Sequence, residues 1–211
     1  MKSRLAMTND KIDREELKER ILLTATKLFY ENGIRKIKMD MIASALHISK
    51  RTLYEVYDKK EDLLFEVLKR EEETYICHLE KFNKSGVSVI DIITEIIRFK
   101  IEQFNNITPN FFKDLNKYPH LLDYLDKKHK EHSSERNLFI QRGVEEGYFL
   151  DNMNIEIANL VAETAFRQMT TNPLYAQFEL KEVFKTLILL HVRGFCTLKG
   201  IEILDRRIKE L

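Results

Sequence analysis

Residues that stop helices are scarce in this chain: 211 residues contain three prolines and six glycines. Between those breakers, apolar residues return every three to four positions, the spacing of a helix face rather than a strand. An all-α fold follows, and the few breakers mark where helices end. With 44% apolar and 33% charged residues, the chain has the composition of a globular protein large enough to bury a core. Residues 1–12 read as a flexible N-terminal tail. Helices are expected over about 14–32, 39–46, 50–57, 60–82, 87–105, 109–116, 119–146, 154–171 and 179–209. The turn signals between them include Asn32-Gly33, Asn105-Asn106 with Pro109, Tyr118-Pro119, the stretch 147–154, and Asn172-Pro173.

Several function classes lose support at this stage. The longest apolar stretch, near 187–192, contains His191 and is too short to span a bilayer. The first residues, MKSRLAMTND, form no apolar signal-peptide core. Cys77 and Cys196 make no disulfide framework, so a reducing, cytoplasmic setting is expected, with no membrane partner. There is no glycine-rich phosphate loop, nucleophile elbow or paired-cysteine motif, so an enzyme is not expected. His129 and His132 stand three apart but lack the further ligands of a closed metal site, and no metal or cofactor is expected.

One segment points to a partner. Residues 47–63 read HISKRTLYEVYDKKEDL, with Ser49 suited to cap a helix that begins Lys50-Arg51-Thr52. Cations at a helix start oppose the macrodipole, so negative charge from outside the chain is implied. From 35 to 60 the cations Arg35, Lys36, Lys38, Lys50, Arg51, Lys59 and Lys60 outnumber Asp40, Glu55 and Asp58. Seven minus three is +4, against +1 for the whole chain. Helix, tight turn and short helix make a helix-turn-helix over about 37–57, whose second helix enters the major groove of double-stranded DNA.

The run 21–68 as a whole resembles the DNA-binding domain of the TetR family of bacterial transcriptional regulators. The matching elements are Ala25, Leu28-Phe29, Gly33, Ile42-Ala43, Ile48-Ser49-Lys50, Thr52-Leu53-Tyr54, Tyr57, Lys60-Glu61 and Leu63-Leu64. His47 stands where the family usually has a turn glycine, and Lys38 where it usually has a Thr or Ser cap. The resemblance implies a three-helix helix-turn-helix DNA-binding domain (13–74), followed by a helical ligand-binding and dimerisation domain (75–211). It also implies a DNA-facing surface at Lys50, Arg51, Thr52 and Tyr54, with Lys60 as a phosphate clamp at the start of the fourth helix. Chemistry adds to this: Arg51 suits a bidentate contact to guanine, and Lys38, Ser49 and Lys59 complete the DNA-facing set. Leu53, Ile48, Ile42 and Tyr57 are expected in the core.

The second part names no ligand. Helix 87–105 has two apolar stripes, one through Ile90, Ile93, Ile97, Ile101 and Phe104, the other through Val89, Ile92, Ile96, Phe99 and Gln103. One stripe suits neighbouring helices and the other a cavity wall. His129, His132 and Arg136 interrupt an apolar face and suit an anionic head group. With Phe99, Gln103, Phe104, Tyr118, Tyr124 and Phe166 they make up the candidate ligand-binding set. Helices 154–171 and 179–200 carry more apolar surface than one monomer buries, so a homodimer is expected. The expected function is a ligand-responsive regulator, a repressor that binds a palindromic operator as a dimer and is released by a mainly apolar small-molecule effector. The alternative is an all-helical small-molecule-binding protein or enzyme whose N-terminus only resembles a DNA reader.

Overall fold

The computed structural model describes residues 2–131, 133–171 and 178–210, with side chains placed except at 2–13, 129, 130, 133 and 166–171. Eleven helices are present among them: α1 (Lys2–Asn32), α2 (Met39–Ala45), α3 (Lys50–Val56), α4 (Lys60–Phe82), α5 (Val89–Phe104), α6 (Pro109–Leu115), α7 (Pro119–Glu131), α8 (Ser133–Glu145), α9 (Ile155–Thr171), α10 (Leu180–Phe195) and α11 (Leu198–Ile208). No strand longer than an isolated bridge occurs among the described residues. The chain forms two compact units, Met1–Thr74 and Tyr75–Leu211, and the boundary falls inside the continuous helix α4.

In the first unit, α1 starts at Lys2 rather than near residue 14, so the backbone of the segment expected as a tail is helical. Ile21, Ala25 and Phe29, four residues apart along α1, are fully buried, Leu22 and Tyr30 join them, and Leu17 and Leu28 are half-buried. Ile42, Leu53 and Tyr57 are in the core with Leu63, Leu64 and Val67 of α4, whereas Ile48 is half-buried. Gly33 ends α1 in the left-handed region (φ 83°), its N–H bonded to the Phe29 carbonyl.

The turn between α2 and α3 uses the same device without glycine. His47 has φ 56°, and is the non-glycine residue with positive φ among those described. Its N–H reaches the Ser44 carbonyl at 3.1 Å and the next N–H, of Ile48, reaches Ala43 at 3.0 Å. This pair of bonds is the Schellman closure of a helix end. A Cβ in the left-handed region costs about 1–2 kcal/mol, and glycine's extra freedom when unfolded returns about half of that. His47→Gly is therefore expected to raise stability by about 0.5–1 kcal/mol. A urea titration giving a lower midpoint would show that the histidine side chain compensates for its backbone.

In the second unit, α5 is the central helix. Val89, Ile90, Ile93 and Ile97 are buried against Phe149, Val192, Phe195, Cys196 and Leu204. A Ser88–Asp91 capping box starts α5. A second aromatic set packs Phe104 against Phe112 and Phe184, with centroids 6.0 and 4.8 Å apart.

The helix over 119–146 is α7 and α8, on either side of residue 132, which lies outside the described residues. The helix over 179–209 stops at Cys196, whose backbone is extended. Backbone pairing causes the stop: Leu150 N–H bonds to the Phe195 carbonyl and Thr197 N–H to the Tyr148 carbonyl, both at 2.8 Å. Thr197 then caps α11, accepting from Gly200 N–H at 3.1 Å and donating to the Gly147 carbonyl at 2.9 Å.

Candidate nucleic-acid interface

The short helix α3 is anchored from below and charged above. Leu53 has no exposed surface, which fixes the helix on the core of the first unit. Ser49 caps it: its Oγ accepts from Thr52 N–H at 3.0 Å and lies 2.8 Å from the Thr52 hydroxyl. Arg51 and Tyr54 are exposed at 88% and 48%, and Lys50 is exposed beside them. No acidic residue occupies the first turn of α3, so its positive end is unopposed within the helix.

The cations are oriented by carboxylates that sequence reasoning did not single out as partners. Lys50 Nζ lies 2.5 Å from Asp40 of α2. Arg51 Nε donates to Glu55 at 2.9 Å, an i,i+4 pair legible in the sequence once α3 is assigned. Glu55 also pushes the Arg51 guanidinium toward still firmer protonation. Exposed pairs of this kind contribute little to stability, so phosphates can replace the carboxylates at small loss.

The flanking residues divide. Lys38 is exposed at the N-cap position of α2 and makes no side-chain cap bond. Lys59 is exposed, and its backbone N–H bonds to Asp62 at 3.2 Å, so Asp62 holds the start of α4. Lys60 differs from the simple phosphate clamp expected of it. Its Nζ donates to the carbonyls of Ile34 and Ile37 at 3.0 and 3.1 Å, tying α4 to the turn after α1. Lys60→Ala is thus expected to lower stability by about 1–3 kcal/mol, because two carbonyls lose a charged donor. Any weakening of DNA binding comes on top of that. A thermal melt with no change would return Lys60 to a purely external role.

The candidate ligand residues fall into different packing environments. Phe99 faces α4, with ring centroids 5.8 Å from Tyr75 and 4.7 Å from His78. Gln103 accepts from Lys100 Nζ at 3.1 Å. Phe104 is buried in the Phe112–Phe184 set. Tyr118 packs its ring edge-on to His120, and Tyr124 and Arg136 are half-buried. His132 and the side chains of His129 and Phe166 lie outside the described residues. Of the second apolar stripe of α5, Phe99 thus meets α4, while Val89 belongs to the core of the second unit.

Comparison with known proteins agrees with this geometry. The family described as bacterial regulatory proteins, tetR family, matches residues 21–67. An HTH-type transcriptional regulator of Staphylococcus aureus (strain USA300) is 33% identical over 94 residues, 43% of this chain and 51% of the relative. The chain thus spans about half the length of the curated relatives it matches. Among solved structures, a protein from Saccharomonospora viridis in complex with choline matches with a TM-score of 0.68 at 15% identity, over 87% of this chain and 99% of that one. The transcriptional regulator FadR from Bacillus subtilis, in complex with stearoyl-CoA, matches with a TM-score of 0.63 at 17% identity, over 84% and 98%. These two likenesses extend the shared fold beyond the helix-turn-helix into the second unit. The match to the tetR family of bacterial regulatory proteins falls on the N-terminal helix-turn-helix unit.

Proposed function

We propose that this protein is a cytoplasmic transcriptional regulator that binds a palindromic operator as a homodimer and represses until a mainly apolar effector releases it. The observation that carries the reading is α3, a Ser49-capped helix with Leu53 buried beneath and Lys50, Arg51 and Tyr54 displayed outward. Lys38, Ser49, Thr52, Lys59 and Lys60 border that surface. Dimerisation is supported by exposed apolar side chains: Ile157, Leu160 and Val161 lie on one stripe of α9, and Leu190 on α10. Contiguous apolar surface of this kind marks an interaction face. The effector reading draws on the apolar and aromatic interior of the second unit and on the stearoyl-CoA held by the structurally similar FadR. Among the described residues no helix is long and apolar enough to cross a membrane.

The test is a salt series of gel shifts on the DNA flanking the coding gene, against unrelated DNA of equal length. Operator binding with a steep log–log salt slope supports the reading. Equal affinity for both DNAs would leave only a non-specific cationic surface. Leu160→Glu together with Leu190→Glu should yield monomers in sedimentation, and loss of operator binding with them.

A further inference from the structure

The outward ridge of α3 carries an anion where a helix facing DNA gains nothing from charge alone. Leu53 is the buried anchor of α3. With 3.6 residues per turn, the positions two before and two after it lie about 160° away around the helix, farther than any other residue of α3. Those positions hold Arg51 and Glu55, whose side chains are 88% and 60% exposed. Arg51 Nε donates to Glu55 Oε1 at 2.9 Å. Among the described residues, Glu55 Oε2 accepts no hydrogen bond. The outermost ridge of α3 therefore displays the Arg51 Nη groups beside a carboxylate oxygen that still has acceptor capacity.

The stability of α3 does not account for this pair. The cation lies at the start of the helix and the anion in its last turn, each at the end that the macrodipole disfavours. An exposed pair with the acid four residues after the base is the weaker of the two orders. Against DNA the carboxylate carries a further cost, since the phosphates flanking a groove repel it. That cost is offset where a base edge donates a hydrogen bond. In the major groove guanine shows the acceptors N7 and O6, and thymine shows O4, so neither satisfies a carboxylate. Adenine sets its N6 amino group beside the acceptor N7, which repels a carboxylate's second oxygen. Cytosine presents its N4 amino group with no acceptor next to it, and is the edge a carboxylate suits.

We propose that Glu55 is a specificity-determining residue, whose carboxylate accepts from the N4 amino group of a cytosine in a base pair next to the guanine read by Arg51. This rests on the DNA-binding reading above. Four residues of helix rise about 6 Å and base pairs stack about 3.4 Å apart, so the two bases lie about one to two steps from each other. One oxygen keeps Arg51 Nε, which leaves the Nη fork for guanine, and the other oxygen takes the cytosine amino group. The Arg51–Glu55 pair enters the groove nearly neutral, so the carboxylate costs little on the matching sequence. Where no amino group stands at that position, the oxygen loses its water and gains no donor, and the site is rejected.

Selection of sites from a randomised duplex pool by the full-length protein tests this, with Arg51→Ala marking the guanine position. The parent should select a cytosine about one to two base pairs from that guanine. In Glu55→Gln the preferred base at the cytosine position should become adenine, because an amide matches the N6 donor and the N7 acceptor together. In Glu55→Ala the preference there should fall by about tenfold, and both variants should keep the guanine. A cytosine preferred equally by the parent and both variants overturns the proposal. Loss of the guanine preference with no change at the cytosine also overturns it, since that result follows if Glu55 only holds Arg51 in place. So does a parent site with no second G·C pair in that window. Each of these three results leaves a parent with a defined site, and so removes the role of Glu55 alone. A parent that selects no site overturns the DNA-binding reading itself.

Discussion

Replacing Arg51 with alanine is expected to cut the preference for operator over unrelated DNA by roughly ten- to a hundred-fold per half-site, with much smaller loss on unrelated DNA. Arg51 is the second residue of α3 and 88% exposed. Its bond to Glu55 runs through Nε, the inner nitrogen. End-on pairing with guanine O6 and N7 uses the two outer Nη groups, so Glu55 can continue to hold the side chain extended while the fork reads a base. A second variant separates charge from shape. Arg51→Lys keeps the cation but loses the planar fork, so affinity for unrelated DNA should survive and the preference should not. Selection from a randomised DNA pool measures both. If Arg51→Ala selected the same site as the parent with the same discrimination, the base-reading role would be wrong. Lys50 is the natural control: it is a point charge held by Asp40. Its loss should reduce the salt slope by about 0.9 per contact on every sequence.

What was legible in advance, and what was not, follows from the range of the interactions. Ser49 as a cap and the helix end at Asn32-Gly33 are decided within four residues, and local sequence is enough to read them; the left-handed turn at His47 is legible only from its place where the family resemblance puts glycine. The burial of Ile21, Phe29, Ile42 and Leu53 follows from helical periodicity alone. The break between α10 and α11 could not be read from periodicity, since apolar residues continue through it. It is made by backbone pairing between residues 148–150 and 195–197, nearly fifty positions apart. Its one local trace was Thr197, a cap three residues before Gly200. The internal bonds of Lys60 were hidden for a similar reason, because the carbonyls it binds belong to a turn more than twenty residues earlier. Glu95 carried a signal that was passed over. It stands three residues after Ile92 and four before Phe99, on an apolar stripe, where a carboxylate needs partners. Its binding by Arg98 and His78 supplies them.

The other large effect expected is on stability, at Gly143. This glycine lies in α8 under the chain reversal that carries Tyr148 and Phe149 back over it, and its carbonyl accepts both of their N–H groups, at 2.9 and 3.0 Å. A Cβ at Gly143 would overlap the ring of Phe149. The ring has little freedom to move aside: Phe149 is 3% exposed, and it packs edge-on to Phe195 with centroids 5.0 Å apart and against Phe139 at 6.0 Å. The bond from Leu150 N–H to the Phe195 carbonyl fixes the backbone next to it. Two effects then oppose each other in Gly143→Ala. Helix propensity favours alanine by about 1 kcal/mol. Overpacking against a fixed ring costs about 3 kcal/mol, the upper end of its usual range. The overlap wins, and a net loss of about 2 kcal/mol is expected, or a drop in Tm of about 4–8 °C. Since Phe149 also positions the 148–150 segment that stops α10, the damage should appear as faster hydrogen exchange at 195–200 as well as at 143–150. The helix-turn-helix unit, with a core of its own, should keep its exchange protection. Gly143→Ala with unchanged Tm would mean that the ring relocates freely, and that the α8–α10 junction is looser than its packing indicates.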